Sequence, residues 1–405
     1  MKPVDIVYVL VFSIMIFSTV LWILAYLRNR EEVRGDPEPS EMPSVTYLVP
    51  AYNEEDYIAK TIRKLLGQDY PEDKLNVIAI NDGSEDGTLE EMKKFKDRIQ
   101  IIDKENTGKA NSMNYALQQV QTDLVGCMDG DSYPEKDMTK KMVGYFHREG
   151  VKGVTPALKV RKTDTWVQKI IWTEYVYQIF LRKIFALFNA QYVMPGPGSL
   201  YDTDYLKELG GWDEETLTED MEIAFRMFEN GARIENSTNA YVDTESPETL
   251  RGLFRQRIRW YRGYINNFLE YRNLLFRLKH GNLGFFFMPF NALWTFLLMF
   301  MMGHFLLRAY NGVMGAIQYY SVMGQIPLGI GMSIHSLSLF HVFNAVIALA
   351  GLTMIAVSVK TAGEEFNIWQ RKLHYGLFLV GYALLYAGFW IAAILEELKG
   401  GEFRW

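Results

Sequence analysis

The chain has 405 residues, a formal net charge of −6 and a single cysteine. This length predicts more than one structural unit, the acidic balance argues against a nucleic-acid-binding protein, and a lone cysteine excludes an intramolecular disulfide. Apolar residues are concentrated at the two ends of the chain, whereas the middle has the mixed pattern of a soluble domain.

The first predicted element is a membrane span over residues 6–27, which carry no charge. A helix of about 22 residues rises about 33 Å, enough to cross the bilayer core. A cleavable signal peptide fits less well, because the apolar run is too long and no small-residue cleavage site follows it. Arg28, Arg30 and Arg34 come next and place this end in the cytoplasm. Residues 1–30 are therefore assigned to an N-terminal transmembrane helix, and a proline-rich linker follows at 36–43.

The middle of the chain alternates between strand and helix patterns. Short apolar runs predict strands at 45–49, 76–80, 99–102 and 124–128, and helical spacing predicts helices at 54–67, 84–95 and 109–120. This alternation indicates an α/β domain with a doubly wound, mostly parallel sheet. We assign this domain to residues 31–248.

Two later stretches, 166–188 and 250–276, are rich in aromatic residues interleaved with basic ones. This pattern predicts amphipathic helices that lie at a membrane surface. Ordinary core helices remain the alternative. The second stretch adjoins a hydrophobic segment, which favours the membrane interpretation there, and we assign 249–281 to an interface helix.

The remaining residues, 282–405, form a predicted transmembrane region with spans at 283–307, 337–359 and 373–395. Lys360, Arg371 and Lys372 lie between the last two spans, whereas the 308–336 loop holds only Arg308. This asymmetry predicts a cytosolic 360–372 loop, an external 308–336 loop and a cytosolic central domain. Residues 314–332 are interpreted as a re-entrant or interfacial stretch. A fifth span there is the alternative, and it would invert the last two.

The most informative stretch for chemistry is Asp129-Gly130-Asp131, which ends a predicted buried strand. Open α/β sheets bind ligands at the carboxyl ends of their strands, and Gly130 would allow a tight turn that brings both carboxylates together. Hard oxygen ligands suit Mg²⁺ or Mn²⁺. A solvated Asp-Gly-Asp turn is the alternative.

Further polar clusters lie at the ends of other strands or open a helix. They are residues 50–55 (PAYNEE), 81–84 (NDGS), 106–109 (NTGK), 218–220 (TED) and 256–260 (QRIRW). Taken singly, each cluster is weak evidence for a functional site. The sequence NDGS is a common turn, and Thr218 is compatible with a helix N-cap. The informative feature is the ordered set on one scaffold, flanked by membrane helices.

This ordered set resembles the membrane-integrated family-two glycosyltransferases with a GT-A catalytic domain. That group includes cellulose, chitin and hyaluronan synthases and ceramide glucosyltransferases. The resemblance covers residues 45–260 by motif and the flanking spans by architecture. It implies a GT-A sheet and transfer of a sugar from a UDP-sugar donor.

For the donor, the resemblance implies that Tyr52, Glu54 and Asp82 hold the uracil and ribose. Lys109 would lie near the donor, while Asp129 and Asp131 would hold the metal and diphosphate. An acidic site that binds a diphosphate needs such a cation, because like charges about 4 Å apart repel by about 4 kcal/mol at an effective dielectric of about 20.

For the acceptor, the resemblance implies that Asp220, with Glu219 beside it, is the general base. Gln256, Arg259 and Trp260 would close the site, with Arg259 against the diphosphate and Trp260 against the acceptor sugar. Residues 196–199 match the small-residue loop that lines the acceptor position.

The sequence thus predicts an inverting, Mn²⁺- or Mg²⁺-dependent hexosyltransferase of the cell membrane. It would extend a polysaccharide through β-linkages at the cytosolic face, in contact with membrane lipids. Two alternatives remain open. One is the transfer of a single sugar to a membrane lipid, and the other is a non-catalytic nucleotide-sugar-binding membrane protein.

Overall fold

The computed structural model describes residues 3–277, 281–324 and 339–400. Eight strands form one sheet with the spatial order β3-β2-β1-β4-β7-β6-β8-β5. In chain order they are β1 (Val45–Ala51), β2 (Leu75–Asp82), β3 (Gln100–Lys104), β4 (Leu124–Cys127), β5 (Ser132–Pro134), β6 (Val151–Val160), β7 (Leu200–Asp202) and β8 (Arg233–Thr244).

The first four strands are the four that the sequence predicts. β1 pairs in parallel with both β2 and β4, and β2 pairs in parallel with β3. Every residue of β1 is buried, as expected for a parallel strand covered on both faces. Cys127 is also buried, with its Sγ 3.1 Å from Met113 Sδ, so it serves packing.

The other half of the sheet adds short antiparallel pairings to the mostly parallel ones, so the sheet is mixed. β7 runs antiparallel between β4 and β6, and β5 pairs antiparallel with β8 at the far edge. β6 and β8 are parallel to each other. The sequence analysis predicted none of β5 to β8. For β5 and β7 the reason is length, because three residues are too few to show a period.

Short helices cover the sheet and connect its strands. They are α3 (Ile58–Leu66), α4 (Thr88–Lys93), α5 (Lys109–Leu117), α6 (Met138–Val143), α8 (Thr203–Glu208) and α9 (Glu219–Glu229). On α3 the buried residues Ile58, Ile62 and Leu65 follow the helical spacing that predicted the element. The α/β alternation therefore places the amino end of α5 beside the carboxyl end of the parallel strands.

Helix α7 (Trp166–Leu187) is a core helix for most of its length. Its start is fixed by a capping box between Thr165 and Gln168. Thirteen of its 22 residues are buried, with β6 and β8 on one side and the C-terminal helices on the other. The core alternative therefore describes α7, and contact with a membrane surface stays a prediction.

Helix α10 (Leu250–Glu270) ends six residues before the predicted end at 276. It packs against α9 and against α14 (Ala383–Leu398). Tyr261 stacks on Trp390 of α14 at a centroid distance of 4.6 Å, and Arg262 Nε donates to Glu397 at 2.9 Å. The C-terminal helices and the sheet domain are thus joined through α10.

The N-terminal helix α1 (Pro3–Arg28) is followed by α2 (Arg30–Arg34) and the predicted linker. The linker is held by the sheet domain. Asp36 Oδ1 accepts hydrogen bonds from Tyr145 Oη at 2.9 Å and Ser237 Oγ at 2.7 Å.

The C-terminal region contains α11 (Met288–Met323), α12 (Leu339–Thr361), α13 (Lys372–Gly376) and α14 (Ala383–Leu398). Among the described residues, Ile6–Arg28 and Leu283–Met323 are long and apolar enough to cross a membrane. The segments Lys372–Leu379 and Ala383–Leu398, bent by 48°, would add a third span as a pair, whereas Ala345–Thr361 is a shorter apolar helix. The structure therefore supports two or three candidate spans and does not establish the predicted four.

Helix α11 corrects the predicted 308–336 loop. Residues 308–323, predicted to lie in a loop, are the continuation of α11. They include 314–323, the first half of the stretch that was predicted to be re-entrant or interfacial. Residues 325–338 lie outside the described part of the chain. The 41-residue segment Leu283–Met323 rises about 60 Å, roughly twice the thickness of a bilayer core.

Candidate active site

A cavity of about 710 Å³ lies at the carboxyl ends of β1, β2 and β4. It collects every single residue to which the sequence analysis assigns a site role, and of the predicted 196–199 loop it includes residues 196 and 197. The single residues are Tyr52, Glu54, Asp82, Lys109, Asp129, Asp131, Glu219, Asp220, Gln256, Arg259 and Trp260. The sheet topology brings the residues that follow β1, β2 and β4 to this place, because parallel strands deliver their carboxyl-end residues to one edge. Residues 219–220 and 256–260 come from helices instead.

Three carboxylates crowd one wall of the cavity. Burial, with Asp131 and Asp129 nearby, raises the pKa of Glu54 to about 8. Burial and then Asp129 raise the pKa of Asp131 to about 6. The structure thus places Glu54 beside the Asp129–Asp131 pair, where a cation would relieve the repulsion.

Gly130 provides room at this wall rather than a left-handed turn. It is absent from the positive-φ glycines of the described residues. A Cβ at this position would lie 3.1 Å from Glu54 Cγ, closer than ordinary van der Waals contact. The glycine therefore allows Glu54 to approach the aspartates.

Lys109 connects the donor side of the cavity to the base side. Its Nζ lies 2.7 Å from Asp129 Oδ1 and 2.9 Å from Glu219 Oε1. Burial lowers the pKa of Lys109, but these two carboxylates outweigh it and hold the pKa well above its usual value. Gly196 makes room for the ion pair, because a Cβ there would lie 2.5 Å from Lys109 Nζ and 2.6 Å from Asp129 Oδ1.

Asp82 organises the loop that opens α5. Its Oδ1 accepts from Thr107 N at 3.0 Å and from Ser112 Oγ at 2.8 Å, and its Oδ2 accepts from Gly108 N at 2.9 Å. Lys104 Nζ adds an ion pair at 2.8 Å. Burial raises the pKa of Asp82, but the hydrogen bonds lower it more, so the net pKa is below the usual value. Its predicted contact with the nucleotide stays a prediction.

The residues at the acidic wall fit a divalent cation by donor type. Asp129 and Asp131 offer hard oxygen ligands of the kind that Mg²⁺ and Mn²⁺ prefer. Among the described residues, no group of three or more His, Cys, Asp or Glu side chains has metal-binding geometry.

Asp220 and Glu219 begin α9 and have different environments. Glu219 is paired with Lys109, and Lys109 lowers its pKa against the effect of burial. Burial and the Glu219 charge raise the pKa of Asp220 to about 6. This separation of pKa values is typical of catalytic acid–base groups, and it makes Asp220 the better base of the two.

Thr218 does not act as a side-chain N-cap, which was the simpler interpretation of this cluster. It makes no capping hydrogen bond to α9, and its Oγ1 accepts from Asn267 Nδ2 of α10 at 3.1 Å. Gly263 of α10 packs so closely that a Cβ there would lie 2.2 Å from Thr218 Oγ1. The start of α9 and the middle of α10 are thus in direct contact.

Helix α10 presents Gln256, Arg259 and Trp260 to the cavity. Arg259 Nη1 donates to the Leu217 carbonyl at 3.3 Å. The fully buried Arg257 lies between them in sequence, and its Cζ is 4.1 Å from the centre of the Trp260 ring. Arg257 Nη2 also donates to Glu174 Oε2 of α7 at 2.7 Å, so α7 helps to orient the 256–260 cluster.

The sequence analysis missed the residues that line the cavity opposite the acidic wall. Three come from α7 at intervals of four, namely Glu174, Gln178 and Arg182, and others come from the C-terminal helices, namely Asn291, Tyr382, Tyr386 and Trp390. The signal for the first group was available, since polar residues four apart in an apolar helix mark one helical face. The second group had no comparable signal.

Comparisons with known proteins agree with this arrangement. The sequence profile described as "Glycosyltransferase like family 2" matches residues 43–263. The chain is 31% identical over 261 residues to poly-β-1,6-N-acetyl-D-glucosamine synthase from Staphylococcus aureus and 29% identical to the same enzyme from Staphylococcus epidermidis. Both alignments cover 61% of this chain and 63% of the relative.

Among solved structures, the fold is similar to the mannosyltransferase PcManGT from Pyrobaculum calidifontis, in complex with GDP-Man and Mn²⁺. The superposition covers 97% of this chain and 100% of that one, with a TM-score of 0.55 and 19% sequence identity. The similarity shows the GT-A fold of the sheet domain. With the family profile spanning more than half of the chain, the protein belongs to glycosyltransferase family 2.

Proposed function

We propose that the protein is an inverting, metal-dependent glycosyltransferase that extends a polysaccharide from a UDP-sugar at the membrane. The observation that carries the proposal is the placement of Asp220, with its raised pKa, in the same cavity as the Asp129–Asp131 pair. A base and a candidate diphosphate site within one cavity are what direct displacement at a sugar carbon needs.

In this proposal Asp220 takes the proton from the acceptor hydroxyl as the hydroxyl oxygen attacks the sugar carbon. The bond from that carbon to the diphosphate oxygen breaks in the same step, and UDP leaves with the electron pair. Lys109 stays paired with Glu219, which leaves Asp220 available for the proton. Because base and leaving group lie on opposite faces of the sugar, the reaction inverts an α-linked donor to a β-linked product.

Asp129 and Asp131 would hold a Mn²⁺ or Mg²⁺ ion, which supplies positive charge to the leaving diphosphate when bound. Arg259 adds a fixed cation on the α10 side, where it acts electrostatically on Glu219 and Asp220. Trp260, held by Arg257, offers a flat face to the acceptor sugar. Tyr52, Glu54, Asp82 and Gln256 complete the proposed donor site.

The relatives suggest the first donor to test. Their name describes a polymer of β-1,6-linked N-acetylglucosamine, so we propose UDP-N-acetylglucosamine as donor and a growing polymer as acceptor. In this proposal residues 31–248 form the catalytic domain on the cytosolic face of the cell membrane. Residues 249–281 lie at the interface, and residues 1–30 and 282–405 contact membrane lipids.

Transfer of a single sugar to a membrane lipid is the second candidate. It is favoured by the small number of candidate spans, two or three among the described residues, which is few for a wide secretion channel. Product size separates the two candidates, because a ladder or long polymer indicates repeated transfer and one added sugar on lipid indicates single transfer. A non-catalytic binding protein is disfavoured by the presence of every predicted carboxylate in one cavity.

The test is UDP release from UDP-N-acetylglucosamine by the full-length protein with Mn²⁺ or Mg²⁺. Asp220→Asn keeps the side-chain shape, and we expect it to lower transfer by about 10²- to 10⁴-fold while UDP binding with Mn²⁺ persists. Asp204→Asn, at an exposed position outside the cavity, is the matched control. A wild-type protein that binds no UDP with metal, and releases none from a panel of UDP-sugars, would refute the proposal.

A further inference from the structure

The proposed mechanism gives no role to one basic side chain that lines the cavity. Arg182, on the polar face of α7, lines the cavity with Tyr192, Tyr264 and Trp390. The groups close enough to act on it electrostatically are Tyr175, Tyr192, Asp220 and Glu174. Arg182 therefore lies on the Asp220 side, where the acceptor must approach.

The structure gives Arg182 no partner within the described residues. Its Nε is buried without a hydrogen bond, and neither nearby carboxylate forms an ion pair with it. Glu174 is instead committed to Arg257 at 2.7 Å. A buried N–H group left without a hydrogen bond is unfavourable. Arg182 as a whole is only half-buried, so the part of its guanidinium that faces the cavity can donate to a ligand.

The charged residues around Arg182 limit which chemical group of a ligand can accept its hydrogen bonds. Eight carboxylates and three basic side chains are among the described residues that line the cavity. Because acidic residues are in excess, a ligand group with a negative charge would be repelled. A guanidinium has five donors and no acceptor. A carbonyl oxygen accepts from it without bringing a proton of its own, whereas a hydroxyl proton would still need a partner.

We propose that Arg182 is a specificity-determining residue that donates hydrogen bonds to the amide carbonyl of an N-acylated acceptor sugar. The aromatic rings of Tyr192, Tyr264 and Trp390 in the same wall offer apolar faces for the sugar ring. This inference rests on the proposed function and names the acceptor class of the same site. It assigns Arg182 no role in donor binding or in proton transfer.

The experiment compares two acceptors that differ at this group, a tetramer of β-linked N-acetylglucosamine and the corresponding tetramer of β-linked glucose. The full-length protein is assayed with UDP-N-acetylglucosamine and Mn²⁺, and the acceptor KM is measured for each. We expect the wild type to prefer the N-acylated tetramer by at least tenfold in KM. Arg182→Met should remove at least nine-tenths of that preference while the donor KM changes less than twofold.

Two further variants make the result specific. Arg182→Lys keeps the charge but loses the planar fork, so we expect an intermediate preference, and it carries the test if Arg182→Met does not fold. Lys169→Met, on the same helix but outside the cavity, should match the wild type.

An unchanged preference in both Arg182 variants, or a wild type without preference, would overturn the inference. So would a donor KM that rises with the acceptor KM. A failure of the proposed function is distinguishable, because the wild type would then release no UDP with either acceptor.

Discussion

The contact between α9 and α10 gives a sharp prediction for Gly263→Ala. The new Cβ would lie 2.2 Å from Thr218 Oγ1, 2.5 Å from its Cγ2 and 2.9 Å from its Cβ. Ordinary contacts at a Cβ begin near 3.4 Å, so α10 must move by about 1 Å away from the start of α9 or distort Thr218. Such overpacking costs about 1–3 kcal/mol, and the better helix propensity of alanine offsets about 1 kcal/mol of it.

The effect on catalysis should exceed the effect on stability. α10 carries Gln256, Arg259 and Trp260, and α9 begins with Glu219 and Asp220. A displacement of about 1 Å between catalytic groups costs about 10²-fold in rate, equivalent to about 3 kcal/mol. We therefore expect kcat for UDP release to fall about 100-fold, with a net destabilisation of only about 0–2 kcal/mol.

The assay is steady-state UDP release together with thermal unfolding of the full-length protein. Gly388→Ala in α14 is the matched control, because a Cβ there meets no described atom within 4 Å. Thr218→Ala combined with Gly263→Ala removes the two closest atoms and should recover part of the lost rate. A single Gly263→Ala variant with kcat within threefold of the wild type would refute the reasoning.

Two further predictions concern the cavity itself. The proposed base Asp220, whose pKa is raised to about 6, must be ionised to act, so kcat/KM should be nearly full at about pH 7, fall to about half at pH 6 and approach a tenfold loss per pH unit below that; a flat profile between pH 7 and 5 would contradict this. Gly196→Ala should weaken UDP–Mn²⁺ binding about tenfold or more, because its Cβ would displace Lys109 or Asp129. A titration of UDP with Mn²⁺ checks this, with Gly376→Ala as control, and an unchanged affinity would count against it.

The sequence alone predicted the first four strands of the sheet and the polar clusters that line one part of the cavity. β1 to β4 are apolar runs whose length and spacing are local properties of the chain. Parallel pairing then brings their polar ends to one edge, so residues as distant in sequence as Asp82 and Asp129 line the same cavity. The 218–220 and 256–260 clusters were found by their order along the chain, and the fold brings them to the same cavity.

Several features of the site were decided only by the tertiary structure. Glu54 lies against Asp131 because Gly130 leaves room for it, and Lys109 bridges Asp129 to Glu219 from another helix. Neither contact leaves a local sequence signal. Arg182 gains its position from the packing of α7 between the sheet and the C-terminal helices.

The sequence pattern also did not predict strands β5 to β8 or the length of α11. Three-residue strands such as β5 and β7 are held by their neighbours and have too few residues to show a period. Hydropathy along α11 weakens after residue 307, yet backbone hydrogen bonds carry the helix to Met323. Local periodicity thus predicts which segments form strands and helices. Contacts between segments far apart in sequence determine which side chains lie together in the cavity.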